Sequence, residues 1–195
     1  MTRIALLRHY QTDWNVEQRL QGRSDRPLTE EARQALARLA LPPGWADLRV
    51  ITSTLRRSID TAAALSSAPS RQEPRLVEIS WGDWEGHRAE DLAADPGAGF
   101  IPTGDLGWSD RPPGGGESRA DAWARMQPAL VQIAADPVPA LLVLHKAVMR
   151  ILLALAHGGP QAETPEIKRG RLYPLTLRPD GHPTDPGAEI RLVPR

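Results

Sequence analysis

The chain has 195 residues, of which 41% are hydrophobic and 25% are charged, a composition typical of a folded domain. Its 24 basic and 24 acidic side chains balance, which argues against a broad nucleic-acid or anionic-membrane surface but permits a local cationic pocket. The absence of cysteine excludes disulfides, thiol nucleophiles and thiolate metal sites. No apolar run is long enough for a signal peptide or a membrane-spanning helix, so we expect a cytoplasmic protein.

The first half of the chain predicts strands that alternate with helices. The apolar run "RIALL" indicates a buried strand over 3–7, and a long polar loop follows it to about residue 27. Thr29 is a suitable N-cap for the next helix, which "PPG" ends. The predicted elements are a helix over 28–40, a strand over 49–53, a helix over 54–68 and a strand over 75–81.

The second half continues the alternation after an irregular segment. A short helix is predicted over 86–95, and the Gly- and Pro-rich residues after it predict a small lid over about 92–116. Further on we expect an amphipathic helix over 117–135, a buried central strand over 140–145, a helix over 146–159, and edge strands in "RLYPLTL" and "AEIRLV". The pattern predicts a single α/β domain over 1–195: a three-layer sandwich with a mostly parallel central sheet and helices on both faces.

Chemically capable side chains stand at the predicted strand ends, where sites form in sheets of this class. Arg8 and His9 end the first strand, and His145 ends the central strand. Arg57 lies in the first turn of the helix after the second strand, and Glu78 lies on the third strand. Guanidinium groups bind phosphate oxygens, a histidine can attack phosphorus, and a carboxylic acid can protonate a leaving oxygen. Nearby arginines should also keep His9 neutral by charge repulsion.

Each of these residues also has a simpler interpretation when it is taken alone. Arg8 and His9 could be surface residues, His145 a hydrogen-bonded core histidine, and Glu78 and Arg57 solvated side chains. A metal site built from two histidines and a glutamate is disfavoured, because the neighbouring cations would repel a divalent ion. Phosphate-loop, dinucleotide-binding, zinc-protease and serine-hydrolase motifs are absent. Convergence on one sheet edge therefore favours phosphate chemistry.

Six segments, in order along the chain, resemble the motifs of the histidine phosphatase superfamily, which includes phosphoglycerate mutases and α-ribazole phosphatases. "LLRHYQTDWN" is similar to the signature LxRHGxTxWN, and "STLRRSIDTA" is similar to SxLxRAxxTA, which singles out Arg57. The other segments are "LQGRSDRPLTEEAR", "LVEISWGDWEG", "PPGGGES" and "HKAVMR".

The resemblance implies a role for each matching residue. His9 would become phosphorylated, while Arg8, Arg57 and His145 would bind the phosphoryl oxygens. Glu78 would protonate the leaving alcohol and then activate water. Asn15 and Gln21 are implied as substrate or phosphate contacts. No metal and no dissociable cofactor is implied.

Two departures from the motifs stand beside the two histidines. Tyr10 and Lys146 replace glycines that usually follow the first and the second histidine. Tyr10 must therefore take an ordinary backbone conformation, with its ring either packed in the core or lining the mouth of the site. Lys146 begins a helix, where a cation is unfavourable unless it meets an anion such as a bound phosphoryl group or Glu78, or reaches into solvent. Both residues are candidate substrate contacts.

Three functions remain open at this point. The first is hydrolysis of a small phosphorylated metabolite through a phosphohistidine. The second is phosphoglycerate mutase-type transfer, which is less favoured because the chain is short for a mutase. The third is a weakly active phosphate-binding protein or a protein phosphohistidine phosphatase, which the two altered glycines suggest. The expected partner is a small phosphate ester and not a nucleic acid or a membrane, and the sequence makes no prediction about oligomeric state.

Overall fold

A seven-stranded sheet organises the computed structural model, which describes residues 1–45, 48–102 and 105–195. Six strands follow the order β4-β3-β5-β1-β6-β7, and β8 also pairs with β6. A separate antiparallel pair joins β2 to β9. The strands are β1 (Thr2–Arg8), β2 (Leu39–Ala40), β3 (Arg49–Thr52), β4 (Ser70–Gln72), β5 (Ala140–Leu144), β6 (Arg171–Leu177), β7 (Pro183–Thr184), β8 (Ile190–Arg191) and β9 (Val193–Pro194).

Strand direction confirms the mostly parallel sheet. β1, β3, β4 and β5 run parallel, whereas β6 runs antiparallel to β1 and to both β7 and β8. The apolar runs over 4–7 and 140–144 are fully buried, as expected where helices cover both faces of a sheet. The edge position predicted for the strand over 171–177 is wrong, because this strand, β6, lies between β1 on one side and the short β7 and β8 on the other.

Six helices are present in the described residues, and they confirm most of the predicted ones. Thr29 caps its helix by accepting a hydrogen bond from the Ala32 N–H. That helix ends at Ala37, earlier than predicted, because Leu39 and Ala40 pair with the C-terminal β9 instead. The helices are α1 (Asp13–Val16), α2 (Glu30–Ala37), α3 (Arg56–Leu65), α4 (Ala89–Ala94), α5 (Arg119–Ala134) and α6 (Lys146–Ala156).

Two apolar clusters lie on opposite faces of the sheet. Alternate side chains of β1 and β5 point to opposite faces, so Leu6 and Leu142 join one cluster while Leu7 and Val143 join the other. α5 and α6 contribute to the first cluster, and α2 and α3 contribute to the second. The helices therefore sandwich the sheet, as predicted, and leave its edge at the carboxyl end of β1 for a site.

The predicted strand over 75–81 is wrong. The place beside β3 is taken by β4, and the chain then forms 3₁₀ turns at Pro74–Leu76 and Gly82–Trp84. Pro74 favours the first turn by its fixed φ, and the Glu73 side chain caps that turn at the Arg75 N–H. The carbonyls of Val77 and Glu78 accept from the Arg125 guanidinium rather than from a neighbouring strand. Glu78 therefore stands in an irregular segment.

The Gly- and Pro-rich segment runs over the face covered by α5 and α6. Leu106 is buried there, and Phe100 and Trp108 pack against the apolar cluster of that face. Residues 103–104 of the predicted lid lie outside the described residues, and the lid and the single domain stay predictions. None of the helices in the described ranges is long and apolar enough to cross a membrane.

Candidate active site

His9 follows β1, where its N–H donates to the carbonyl of Leu144 at 2.9 Å. Its side chain is buried, and Nδ1 lies 2.6 Å from the carbonyl oxygen of Tyr10. Because a carbonyl only accepts, Nδ1 carries the hydrogen and Nε2 keeps its lone pair. Burial holds the pKa of His9 well below its usual value, and the charges of Arg57 and Arg8 lower it further. His9 is therefore a neutral imidazole, although burial contributes more to this than the predicted repulsion by arginines.

A buried hydrogen-bond network lies directly behind His9. The Arg57 Nε–H donates to His145 Nδ1 at 3.3 Å, and the two terminal nitrogens of Arg57 donate to the carbonyls of Gly22 and Ser24 at 2.6 and 2.8 Å. His145 Nε2 lies 2.8 Å from Ser53 Oγ. Since Nδ1 accepts from a guanidinium, the hydrogen of the neutral ring is on Nε2 and is donated to Ser53. The rings of His9 and His145 lie 5.2 Å apart between centroids.

This network places Arg57 and His145 beside His9, and neither residue lines the cleft itself. Burial, followed by Arg57, lowers the pKa of His145 well below its usual value, and burial lowers the pKa of Arg57 to about 10. Both nitrogens of His145 already have protein partners, whereas Arg57 uses three of its five N–H groups. Direct contact between His145 and a phosphoryl group, which the resemblance implies, would require one of these bonds to be exchanged.

Ser53 is a positioning residue that the sequence analysis did not identify. Its fully buried hydroxyl receives both the His145 Nε2–H and the Leu55 N–H, and so fixes the tautomer that accepts from Arg57. We expect Ser53→Ala to lower kcat/KM about tenfold, because an imidazole donor loses its buried acceptor, whereas Ser53→Thr should keep most activity. Imidazole ¹⁵N chemical shifts of His145 should change in the alanine variant alone. Unchanged shifts and activity in Ser53→Ala would contradict this role.

Glu78 is buried and held by backbone N–H groups. Its Oε2 accepts from the Ala147 N–H at 2.9 Å, and its Oε1 accepts from Val148 and Ile79 at 3.1 and 3.0 Å. Two of these donors belong to the first turn of α6, where the helix dipole favours negative charge. Burial nevertheless raises the pKa of Glu78, because the cost of desolvation exceeds the effect of the hydrogen bonds. Glu78 can therefore hold a proton at a higher pH than an exposed carboxyl.

The sheet edge opens into one cleft of about 270 Å³. Six of the sequence-predicted residues line it, namely Arg8, His9, Asn15, Gln21, Glu78 and Lys146. One terminal nitrogen of Arg8 donates to the carbonyl of Ile167, while its buried Nε has no hydrogen-bond partner among the described residues. In the same ranges, no three His, Asp or Glu side chains are grouped as a metal site would require. The cleft thus combines a neutral imidazole, a protonatable carboxyl and several cations.

Asn15 and Gln21 both line the cleft and share one hydrogen-bond network. Gln21 Oε1 accepts from Thr12 Oγ1 at 2.8 Å and from Asn15 Nδ2 at 3.2 Å. A terminal nitrogen of Arg169 donates to Asn15 Oδ1 at 2.8 Å. Gln21 Nε2 is buried and has no hydrogen-bond partner in the part of the chain that the structure describes. This amide N–H₂ is therefore a donor available to a ligand.

Tyr10 does not line the cleft. Its φ is not positive, as expected for a residue other than glycine, and its ring is buried in the apolar cluster of α2 and α3. The ring hydroxyl extends to Gly170, where an added Cβ would stand 3.0 Å from it. Burial raises the pKa of the hydroxyl. Of the two alternatives for Tyr10, the structure shows core packing, and the backbone carbonyl is the part that serves the site by binding His9.

Lys146 lines the cleft and is exposed. Among the described residues it has no ion pair, and the Glu78 oxygens are taken by backbone N–H groups instead. Partial burial, followed by the charges of Arg8 and Arg150, lowers the pKa of Lys146. The pairing with Glu78 that was one alternative for this lysine is therefore wrong, and a bound anion or solvent remains.

The sequence analysis missed four arginines that line the cleft: Arg19, Arg119, Arg150 and Arg169. Arg169 could have been identified from the sequence. It precedes β6, which runs antiparallel to β1, and residues that precede an antiparallel strand lie at the same sheet edge as residues that follow its neighbour. The register pairs Leu7 with Leu172, which brings the residues before β6 beside the residues after β1. Burial and Arg8 lower the pKa of Arg169 to about 10. Arg119 and Arg150 lie on helices, where no strand-end rule applies.

Comparison with known proteins bears directly on this site. The model of the "Histidine phosphatase superfamily (branch 1)" matches residues 4–182. A glucosyl-3-phosphoglycerate phosphatase of Mycobacterium tuberculosis is 36% identical over 180 residues, covering 85% of this chain and 79% of the relative. A 2,3-bisphosphoglycerate-dependent phosphoglycerate mutase of Methylobacterium radiotolerans is 31% identical over 189 residues, covering 90% and 88%.

A solved structure agrees with these relatives. The mycobacterial glucosyl-3-phosphoglycerate phosphatase in complex with VO3 superposes with a TM-score of 0.72 at 31% identity, covering 90% of this chain and 93% of that one. Both the family and these relatives support a phosphatase enzyme. The chain belongs to the histidine phosphatase superfamily, branch 1.

Proposed function

We propose that this chain hydrolyses small phosphomonoesters through a phosphohistidine formed on His9 Nε2. The observation that carries the proposal is the bond from His9 Nδ1 to the Tyr10 carbonyl, which leaves the Nε2 lone pair on a neutral ring in the cleft. A neutral, oriented imidazole is what attack on phosphorus needs. Glu78 lines the same cleft and supplies the acid.

The reaction takes place in two steps. In the first, the Nε2 lone pair forms a bond to phosphorus, the phosphorus–oxygen bond to the alcohol breaks, and the Glu78 proton goes to the leaving oxygen. In the second, the Glu78 carboxylate takes a proton from water, the hydroxyl oxygen bonds to phosphorus, and the phosphorus–nitrogen bond breaks. Inorganic phosphate leaves, and neutral His9 and protonated Glu78 are restored.

Charge on the transferred group is stabilised by donors around His9. Among the described residues, the Arg8 Nε–H and the Gln21 amide N–H₂ have no hydrogen-bond partner, and both are buried groups on residues that line the cleft. Lys146 adds an ammonium that forms no ion pair with the described residues, and Arg57 contributes positive charge from behind the ring. Preorganised donors of this kind stabilise a transition state without reorganising during the reaction. The proposed mechanism uses no metal and no dissociable cofactor. We also propose that the enzyme is located in the cytoplasm.

Rapid quench into alkaline denaturant tests the proposal directly. During turnover of p-nitrophenyl phosphate, we expect a phosphoprotein that is stable in base and labile in acid, which mass spectrometry should map to His9. Steady turnover without any phosphorylated His9 would contradict the covalent mechanism.

Phosphoglycerate mutase activity is a second candidate, supported by the Methylobacterium relative and by the excess of cations in the cleft. A mutase returns the phosphoryl group to an acceptor before water reaches it. Assays of phosphoglycerate isomerisation with and without 2,3-bisphosphoglycerate separate the two functions. We expect release of inorganic phosphate to exceed isomerisation in both assays.

A further inference from the structure

Arg169 lines the catalytic cleft and begins a row of hydrogen bonds that ends at Gln21. One terminal nitrogen of Arg169 donates to Asn15 Oδ1 at 2.8 Å, and the Thr12 N–H donates to the same oxygen at 3.2 Å. Asn15 Nδ2 then donates to Gln21 Oε1 at 3.2 Å. Gln21 Nε2 has no partner in the described ranges. The row thus connects a cation outside the six motif segments with an unused donor in the cleft.

The partners of Asn15 decide which way its amide group faces. Its Oδ1 accepts from a guanidinium N–H and from a backbone N–H. An amide rotated by half a turn would place its own N–H₂ against both of these donors, which would leave them without an acceptor. The bond from the guanidinium is charge-assisted and is the shorter of the two. Arg169 is therefore the stronger of the two groups that hold Asn15 in this orientation.

The orientation of Asn15 in turn sets that of Gln21. Gln21 Oε1 accepts from Asn15 Nδ2 and, at 2.8 Å, from the Thr12 hydroxyl. If Asn15 presented its oxygen instead, Gln21 could rotate with it, because the Thr12 hydroxyl accepts as well as donates. Gln21 would then present an oxygen where Nε2 now stands. An oxygen at that place repels a phosphoryl group, whereas an N–H₂ binds it.

The turn that carries Arg169 is fixed in front of β6. The carbonyl of the next residue, Gly170, accepts from the Leu192 N–H at 3.0 Å. Gly170 has a φ of +69°, which favours glycine, and an added Cβ there would stand 3.0 Å from the Tyr10 hydroxyl. Tyr10, whose ring packs in the core, therefore also supports the turn from which Arg169 reaches Asn15.

We propose that Arg169 is a positioning residue that orients the amides of Asn15 and Gln21, so that Gln21 presents its N–H₂ and not its oxygen to the transferred phosphoryl group. This inference rests on the proposed function, since it takes the phosphoryl group to lie beside His9 and Gln21. Arg169 itself also has a buried Nε without a partner in the part of the chain that the structure describes. Direct contact of Arg169 with the phosphoryl group is therefore the competing role. The two roles differ in one respect, because positioning needs Gln21 and direct contact does not.

A double-mutant cycle separates the two roles. Arg169→Met removes the guanidinium but keeps an unbranched side chain, and Gln21→Met removes the oriented amide. With p-nitrophenyl phosphate, we expect each single change to lower kcat/KM about tenfold, and the double change to lower it no further than Gln21→Met alone. Arg169→Lys should keep part of the activity, because an ammonium also donates to Asn15 Oδ1. Arg191→Met, at an exposed arginine outside the cleft, is the matched control and should leave kcat/KM unchanged.

The side-chain amide resonances of Gln21 give a readout that needs no turnover. The measurement uses His9→Asn, which cannot form the phosphohistidine, and Gln21→Met in this background assigns the resonances. Inorganic phosphate should shift them in ¹H–¹⁵N spectra. Arg169→Met in the same background should remove that shift and weaken phosphate binding about tenfold in calorimetry. Circular dichroism melting of each variant verifies that it is folded.

The positioning role and the covalent mechanism can fail separately. Equal losses of kcat/KM from Arg169→Met with and without Gln21 would overturn the positioning role, even if His9 is phosphorylated. Gln21 resonances that respond to phosphate in the same way after Arg169→Met would also overturn it. If the cycle and the spectra behave as expected but His9 is never phosphorylated, the covalent mechanism is wrong and the positioning role stands.

Discussion

Replacing His9 with alanine is expected to lower kcat for p-nitrophenyl phosphate by at least about 10⁴-fold and to abolish the acid-labile phosphoprotein. The expected loss is large because the cleft would then contain charge-stabilising donors but no atom to accept the phosphoryl group. His9→Ala removes a buried ring that packs 5.2 Å from the ring of His145, so folding is measured beside activity. Binding of orthovanadate by calorimetry verifies that the cationic cleft is intact.

The matched control for this change is His87→Ala, because His87 is exposed and stands outside the cleft. We expect its activity to equal that of the unmodified chain within experimental error. If folded His9→Ala kept more than a few per cent of wild-type turnover, another group would be the nucleophile, and the covalent mechanism would be wrong.

Glu78→Gln should lower kcat for alkyl phosphates by about 10²- to 10⁴-fold, because glutamine cannot give a proton to the leaving oxygen. The first step with p-nitrophenyl phosphate should suffer less, since nitrophenolate leaves without protonation. Water attack still needs a base, so phosphorylated His9 should accumulate. Quench into alkaline denaturant should therefore show more phosphoprotein in Glu78→Gln than in the wild type.

The pH dependence of kcat gives a second measurement on Glu78. Burial raises the pKa of this carboxyl, and the acid acts only while it is protonated. The rate of the first step with an alkyl phosphate should therefore be highest below that raised pKa and fall as pH rises through it. Glu78→Gln should lose this alkaline decline, whereas Glu90→Gln, an exposed carboxyl on α4, should keep it. An identical decline in both variants would assign it to another group.

The sequence predicts the position of His9 well because its signal is local. Hydrophobic runs that end in polar residues mark the carboxyl ends of β1 and β5, and His9 and His145 stand directly at those ends. The mostly parallel sheet with helices on both faces follows from the alternation of strands and helices. These parts of the fold depend on patterns within about ten residues, from which burial can be inferred by hydrophobic periodicity.

Prediction from local sequence patterns fails around Glu78, where a strand over 75–81 was expected. "RLVEISW" has the composition of a strand, yet the Arg125 guanidinium binds the carbonyls that a strand would offer to its neighbour. That contact joins residues about fifty apart and leaves no local pattern. Glu78 was still identified, first from its place on that predicted strand and then from the resemblance of its segment to a family motif. Arg150 and Arg169 were not singled out as site residues, because their place depends on a helix face and on the register of β6.

The position of β1 between β5 and β6 has a consequence for the order of events in folding. His9, the proposed nucleophile, directly follows β1, but the two neighbours of β1 are β5 at Ala140–Leu144 and β6 at Arg171–Leu177. β1 must therefore wait until more than a hundred further residues have been synthesised before either of its edges is paired. Contacts of such long sequence separation are slow to form, and the unpaired apolar strand is open to aggregation in the meantime. The cleft beside His9 therefore forms only when the sheet is complete.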